Sequence, residues 1–157
     1  MSNQPIPMSL EALQQMLPDD VFAGYVQTLG LRVVEVRDNE VALALPVVPH
    51  LVHGGGVVCG QALMAAADSA MVLAISHQLG GFRPMTTAQL QTSFLRPIAG
   101  PGPGPGPGPG TLPGSPTEAR IVARVLRAGK NLVFGEIEAL DSAGRLAAHS
   151  TTTYALL

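Results

Sequence analysis

HGGGVVCGQALMAAADSAMVLAISHQLGG, residues 53–81, is a glycine-rich lead-in followed by a long apolar helix that carries a single acid, Asp68. Between Ala62 and Ile75 the only polar residues are Asp68 and its neighbour Ser69, and Ala65, Ala66, Ala67 and Ala70 are small enough to let other backbone pack close. A carboxylate in such surroundings loses hydration and raises the free energy unless a partner or a reaction uses it. Gly54, Gly55 and Gly56 lead in, Gly60 falls at the first turn, and Gly80-Gly81 occupy the position where glycine usually ends a helix.

Working outward toward the N-terminus, EVALAL (40–45) and GLRVVEVR (30–37) are strand-like and separated by Asp38-Asn39, the pattern of a hairpin. Before them, Ser9 is placed to cap a helix over LEALQQML that Pro18 stops, and a second short helix is expected from Asp19 or Asp20 through Thr28. This 1–28 extension shows no chemistry of its own. Toward the C-terminus, TTAQLQTSFL (86–95) alternates, with Ala88, Leu90, Thr92 and Phe94 on one face and Thr87, Gln89, Gln91 and Ser93 on the other. The tract GPGPGPGPGPG (100–110) lacks the three-residue period of collagen and cannot build a sheet ladder, so residues 100–116 are read as a solvated loop. Three more strand-like runs follow, 118–127, 132–140 and 145–156, joined by Ala128-Gly129-Lys130-Asn131 and Asp141-Ser142-Ala143-Gly144 as an antiparallel meander. The order β-β-α-β-β-β-β predicts an α+β domain spanning 1–157, an antiparallel sheet of about six strands curved around one apolar helix.

Composition narrows the function. A net charge of −2 with 13 % charged residues offers no basic field for a nucleic-acid backbone and no Lys/Arg run for a membrane surface. The apolar run 62–75 is interrupted by Asp68 and is short for a bilayer span. Cys59 is the single cysteine, so no internal disulfide forms, and MSNQPIPMSL lacks the features of a secretory leader; a cytoplasmic protein is expected. His50, His77 and His149 show no ligand spacing, and no metal site is expected.

The ordered set GQALMAAADSAM, TTAQLQTSFLRP and ARVLRAGKNLVFGEIEALDSAGRLAAHSTTTY resembles the hotdog-fold acyl-CoA thioesterases of the phenylacetate-degradation type, over about residues 28–155. That family carries His-Gly-Gly nine residues before an acid. His53-Gly54-Gly55 fails on spacing; counting back from Asp68 places Cys59-Gly60-Gln61 there, with His53 where relatives have Asn or Gln. The resemblance implies hydrolysis of an acyl-CoA with an apolar or aromatic acyl group, no cofactor beyond the coenzyme A of the substrate, and Asp68 as nucleophile or general base. Gly60, in the first turn, has an N–H able to polarise the thioester carbonyl. Eight residues at about 1.5 Å each separate it from Asp68 by roughly 12 Å, so one chain cannot bring both to one carbon. A homodimer with antiparallel helices, or a dimer of such dimers, is expected to share each site. By the same likeness His53 either donates to the carbonyl or is an ordinary loop histidine, Thr87 positions the water, and Arg96, Arg83 and Lys130 meet the phosphates of coenzyme A. Two alternatives stay open: a hotdog hydratase/dehydratase of enoyl thioesters pairing His53 with Asp68, and a non-catalytic acyl-CoA-binding protein.

Overall fold

The computed structural model describes residues 5–101 and 117–157. The tract read above as a loop lies, beyond Pro101, outside the described residues. Helices α1 (Leu10–Met16), α2 (Gly24–Gln27) and α3 (Gly60–Leu79) accompany six strands: β1 (Arg32–Arg37), β2 (Glu40–Pro46), β3 (Met85–Phe94), β4 (Glu118–Ala128), β5 (Leu132–Leu140) and β6 (Leu146–Leu156). The strands form one antiparallel sheet in the order β1-β2-β4-β5-β6-β3, so the third strand in the chain is an edge strand whose partner is the last.

α3 is seated on this sheet across β2, β4 and β5, with Met71, Leu73, Ile75, Leu43, Ile121 and Ile137 fully buried between them. The approach is close: a Cβ on Gly135 of β5 would collide with the side chain of Met71 and lie 2.9 Å from the Arg124 carbonyl oxygen. At 20 residues α3 is long and apolar enough to cross a membrane by length and composition, so the short-span argument fails for the helix as formed. Its burial against the sheet accounts for the apolar composition instead. Cys59 precedes its first turn without a side-chain cap. Gly80 ends it at φ +72°, with Gly80 N–H bonded to His77 O at 3.2 Å and Gly81 N–H to Ser76 O at 3.0 Å, the paired bonds of a Schellman close.

The N-terminal extension folds over the exposed side of α3. Ser9 caps α1, its Oγ accepting from Ala12 N–H at 3.2 Å. The second helix is shorter than expected, covering only Gly24–Gln27, because residues 17–22 are taken up by turns such as the Phe22 N–H to Asp19 O bond at 3.1 Å. β3 also departs from simple alternation. A register shift against β6 between Thr87 and Gln89 leaves Ala88 as an exposed bulge, and Phe94 is exposed too. The half-buried face is therefore Met85, Thr87, Leu90 and Thr92, and not the Ala88, Leu90, Thr92, Phe94 face that strict alternation predicts.

On the side of the sheet away from α3, charges run across four neighbouring strands. Arg124 binds Glu40 and Glu136, each at 2.8 Å, and His149 Nε2 lies 3.2 Å from Glu136. The Arg124 hydrogen bond, followed by that of His149, holds the Glu136 carboxyl below its usual range despite partial burial.

Candidate active site

α3 is buried on most of its circumference, but Gln61, Met64, Asp68 and Val72, spaced by three and four residues, form one open stripe. Asp68 stands half-buried in the middle of it. Thr87 Oγ1 donates to Asp68 Oδ1 at 2.9 Å, and the Tyr154 hydroxyl donates to the same oxygen and to the Asp68 carbonyl oxygen at 3.0 Å. Thr87 and Tyr154 are direct cross-strand partners on β3 and β6, so the pairing of the sheet edge presents both hydroxyls together. The Ala88 bulge matters here, because it puts Thr87 on the inward face with Leu90.

Tyr154 is 1 % exposed. Burial, reinforced by the negative charge of Asp68, pushes its phenol well above the ordinary value, so it stays a protonated donor throughout any working pH. Both donors fall on Oδ1; among the described residues Oδ2 accepts no hydrogen bond. The result is a carboxylate gripped through one oxygen and presenting the other. Tyr154 was not singled out from sequence. Alternation along β6 marks it as an inward residue, but nothing local shows that its hydroxyl meets a carboxylate 86 residues away.

Asp68, Thr87 and Tyr154 line a cleft of about 230 Å³ whose other walls include Val72, Met85 and, from the N-terminal extension, Phe22, Tyr25 and Val26. The extension thus lines the same cleft as Asp68.

The start of α3 is a separate place. Gly60 is the first helical residue and its N–H has no acceptor among the described residues, leaving a donor at the positive end of the helix dipole. The Phe94 ring lies against it: a Cβ on Gly60 would be 2.9 Å from Phe94 Cζ. His53 is exposed in the turn that precedes the helix, where Gly56 N–H bonds His53 O at 2.9 Å. Its Nδ1 accepts from Gly55 N–H at 2.9 Å, which puts the proton of the neutral ring on Nε2 and leaves that N–H to donate outward. Within one chain, then, the fold brings Thr87 to Asp68 but neither His53 nor Gly60, which is roughly 12 Å along the helix from Asp68.

The three cations also divide. Arg83 and Lys130 lie at the end of the sheet where Met85 pairs with Leu156 and Leu132 with Ala155, and Arg83 Nε donates to Leu157 O at 3.3 Å. Arg96 follows Phe94 at the opposite end, roughly 30 Å away at about 3.4 Å per strand residue. Among the described residues no group of three or more His, Cys, Asp or Glu side chains gathers that could hold a metal ion.

No family model matches the chain. Its sequence is 27 % identical over 141 residues to the Thermoplasma volcanium protein named "Putative esterase TV1331", covering 85 % of this chain and 87 % of that one. The structure of the conserved protein PA5202 from Pseudomonas aeruginosa is similar at a TM-score of 0.70 and 31 % identity, over 87 % of this chain and 95 % of that one. The thioesterase HI1161 from Haemophilus influenzae matches at a TM-score of 0.76 over 98 % of this chain and 94 % of its own, and at 18 % identity the likeness is one of fold. With the six-stranded antiparallel sheet around one long helix, these similarities establish that the chain has the hotdog fold, which it shares with solved thioesterases and with the PaaI protein of the phenylacetic acid degradation operon of E. coli.

Proposed function

We propose that the protein hydrolyses acyl-CoA thioesters as a homodimer, with each active site built from two chains. The observation that carries this reading is the Asp68 carboxylate, held through Oδ1 by Thr87 and Tyr154 with Oδ2 left for chemistry beside a cleft. The fold is one that supports acyl thioester hydrolysis in general. Two features support the dimer. β3 is an edge strand whose outer side pairs with no strand among the described residues, and the open stripe of α3 leaves Met64 and Val72 half-buried within the chain. A two-fold axis that covers both sets the helices antiparallel and brings Gly60 of one copy to Asp68 of the other.

In this arrangement the thioester carbonyl oxygen accepts from the partner's Gly60 N–H, which stabilises the negative charge that develops there. Oδ2 of Asp68 either takes a proton from the attacking water or itself attacks the carbonyl carbon, giving a mixed anhydride that water then opens. Both routes expel the coenzyme A thiolate, which is protonated to the thiol, and both leave Oδ1 bound to its two hydroxyls. His53, whose Nε2–H points out of the turn before α3, adds a second donor to the carbonyl. Arg83 and Lys130, at one end of the sheet, and Arg96, beyond Phe94 at the other, are the cations offered to the phosphates of coenzyme A.

Complementation tests the shared site. Gly60→Pro removes the N–H, and proline is well tolerated at the first helical position after Cys59, whose φ −67° and ψ 145° suit a residue before proline. The new ring displaces Phe94, an exposed side chain. A heterodimer purified with two tags, carrying Asp68→Asn on one chain and Gly60→Pro on the other, retains one intact site of two and is expected to show about half the parental release of free thiol. Each homodimeric variant is expected to be nearly inactive. An inactive heterodimer beside an active parent overturns the shared site. A parent that hydrates enoyl thioesters, or binds acyl-CoA tightly, without hydrolysis overturns the activity.

A further inference from the structure

Of the nine Lys and Arg side chains, Arg32, Arg37, Arg120, Arg124 and Arg145 each pair with a side-chain carboxylate. Arg83, Arg127 and Lys130 pair with none among the described residues, and they stand together. No run of the sequence collects them, but the sheet ladders do: Met85 pairs with Leu156, Leu132 with Ala155, and Phe134 with both Arg127 and Thr153. The starts of β3 and β5 and the ends of β4 and β6 thus form one end of the sheet, roughly 15 Å wide at about 4.8 Å per strand. Its segments 82–86, 126–134 and 153–157 contain no acid. They also expose large apolar side chains, Phe82, Leu126, Leu132 and Phe134, and residues 126–132 are exposed without interruption. The nearest acid along β5, Glu136, is already bound to Arg124 and His149.

We propose that this end of the sheet docks on an anionic lipid bilayer, with the three cations meeting headgroup phosphates and the four apolar side chains entering the interface. Exposed hydrocarbon among unpaired cations is what such a surface attracts, through apolar burial and through about 1 kcal/mol per Lys or Arg. Long Lys and Arg stems lie along hydrocarbon while their charged heads stay in the polar layer. A second copy fits poorly, because two-fold symmetry sets like cations against each other with no acid between them. A folded protein also fits less well than lipid, since protein interfaces are held by directional hydrogen bonds and the backbone here is already engaged. Gly129 N–H donates to Leu132 O at 2.8 Å, Leu156 N–H to Asn131 O at 2.8 Å and Leu157 N–H to Pro84 O at 2.9 Å. What remains on offer is charge and hydrocarbon, which a bilayer accepts without fixed geometry. Thr87 and Tyr154 pair two residues inward from Met85 and Leu156, so the docked end is the one nearer Asp68. Arg127, Leu132 and Phe134 have no part in the coenzyme A reading, and they separate lipid from substrate phosphate.

The test is sedimentation of the full chain with vesicles of phosphatidylcholine alone and of phosphatidylcholine mixed with phosphatidylglycerol. The parent is expected to sediment with the mixed vesicles and to stay in solution with the neutral ones. Salt should release it, as the screening length shrinks from about 10 Å at 0.1 M to about 3 Å at 1 M. Arg127→Gln should weaken binding about fivefold, and Leu132→Ser combined with Phe134→Ser about tenfold or more. All three positions are exposed, so the melting temperature is expected to hold. Parental binding in both variants overturns the patch, and equal binding to both vesicle types, or to neither, overturns the anionic bilayer. A chain that binds poly-glutamate but no vesicle overturns it in favour of an acidic protein. The affinity for free coenzyme A is expected unchanged in both variants; a loss matching that for vesicles reassigns the patch to the substrate's phosphates and overturns the docking.

Discussion

At the middle of α3, two strands converge on one carboxylate oxygen, whereas at its first turn a backbone N–H is left without any acceptor among the described residues. Asp68 is fixed by Thr87 from β3 and Tyr154 from β6; Gly60 has the exposed ring of Phe94 against it. The contrast separates what one chain completes from what it offers. A charged group left half-buried must be paired at home, because an unpaired carboxylate destabilises the monomer. A helix-start N–H at the surface is satisfied by water, so it can wait for a ligand or a second copy. The same helix thus carries one polar group satisfied within the chain and one left open.

The largest expected effect breaks the finished half. Asp68→Asn keeps an oxygen that accepts from both Thr87 and Tyr154 but loses the basic and nucleophilic oxygen, so kcat is expected to fall by about 10²–10⁴-fold with the melting temperature little changed. Steady-state kinetics beside calorimetry would show this, and a variant that keeps parental kcat removes Asp68 from the chemistry. Next, Tyr154→Phe keeps the buried ring and deletes one donor to the carboxylate. A hydrogen bond to a charged group contributes about 1.5–3 kcal/mol, so kcat/KM is expected to drop by about 10- to 100-fold, through kcat more than KM. A loss confined to stability would show that Tyr154 only fills the core.

The smallest effect belongs to the opposite face of the sheet and sharpens the comparison as a control. Glu136 has a lowered folded-state pKa, so its contribution to stability is present above the unfolded value of about 4.3 and is lost as pH falls through the folded one. Arg124→Gln removes the chief cause. Its melting temperature is expected to lie slightly below the parent's at pH 7, by a few degrees at most for a partly exposed pair, and to converge on it as pH falls through the lowered folded-state pKa of Glu136. Hydrolysis should not change, because Arg124 points away from α3; a parallel loss of activity would tie the two faces together.

Much of this was legible in the chain. The buried helix with one acid, the Asp38-Asn39 hairpin and the three-strand meander follow from period and turn residues, which are local signals. The phase of β3 was not, since a bulge adds one residue without announcing itself and moved Ala88 out of the predicted face and Thr87 into it, while Phe94 keeps the face of Leu90 and Thr92 but is exposed at the end of the strand. Tyr154 and the 21–26 wall were missed for a different reason. Each acquires its meaning from a contact with a distant segment, and apolar patterning shows that a residue turns inward but not what it meets.

The position of β3 at the edge, beside the last strand, has a consequence for biosynthesis. A nascent chain emits α3 and β3 early, but β3 has no neighbour in the sheet until β4, β5 and β6 have all been made, and Thr87 waits for Tyr154 across the whole of that interval. Until then the edge strand is a segment of exposed, unpaired backbone, the kind that chaperones hold and that aggregates recruit. The carboxylate is thus gripped by both its hydroxyl donors only when translation has passed the final strand, so the arrangement around Asp68 arrives with the completed fold.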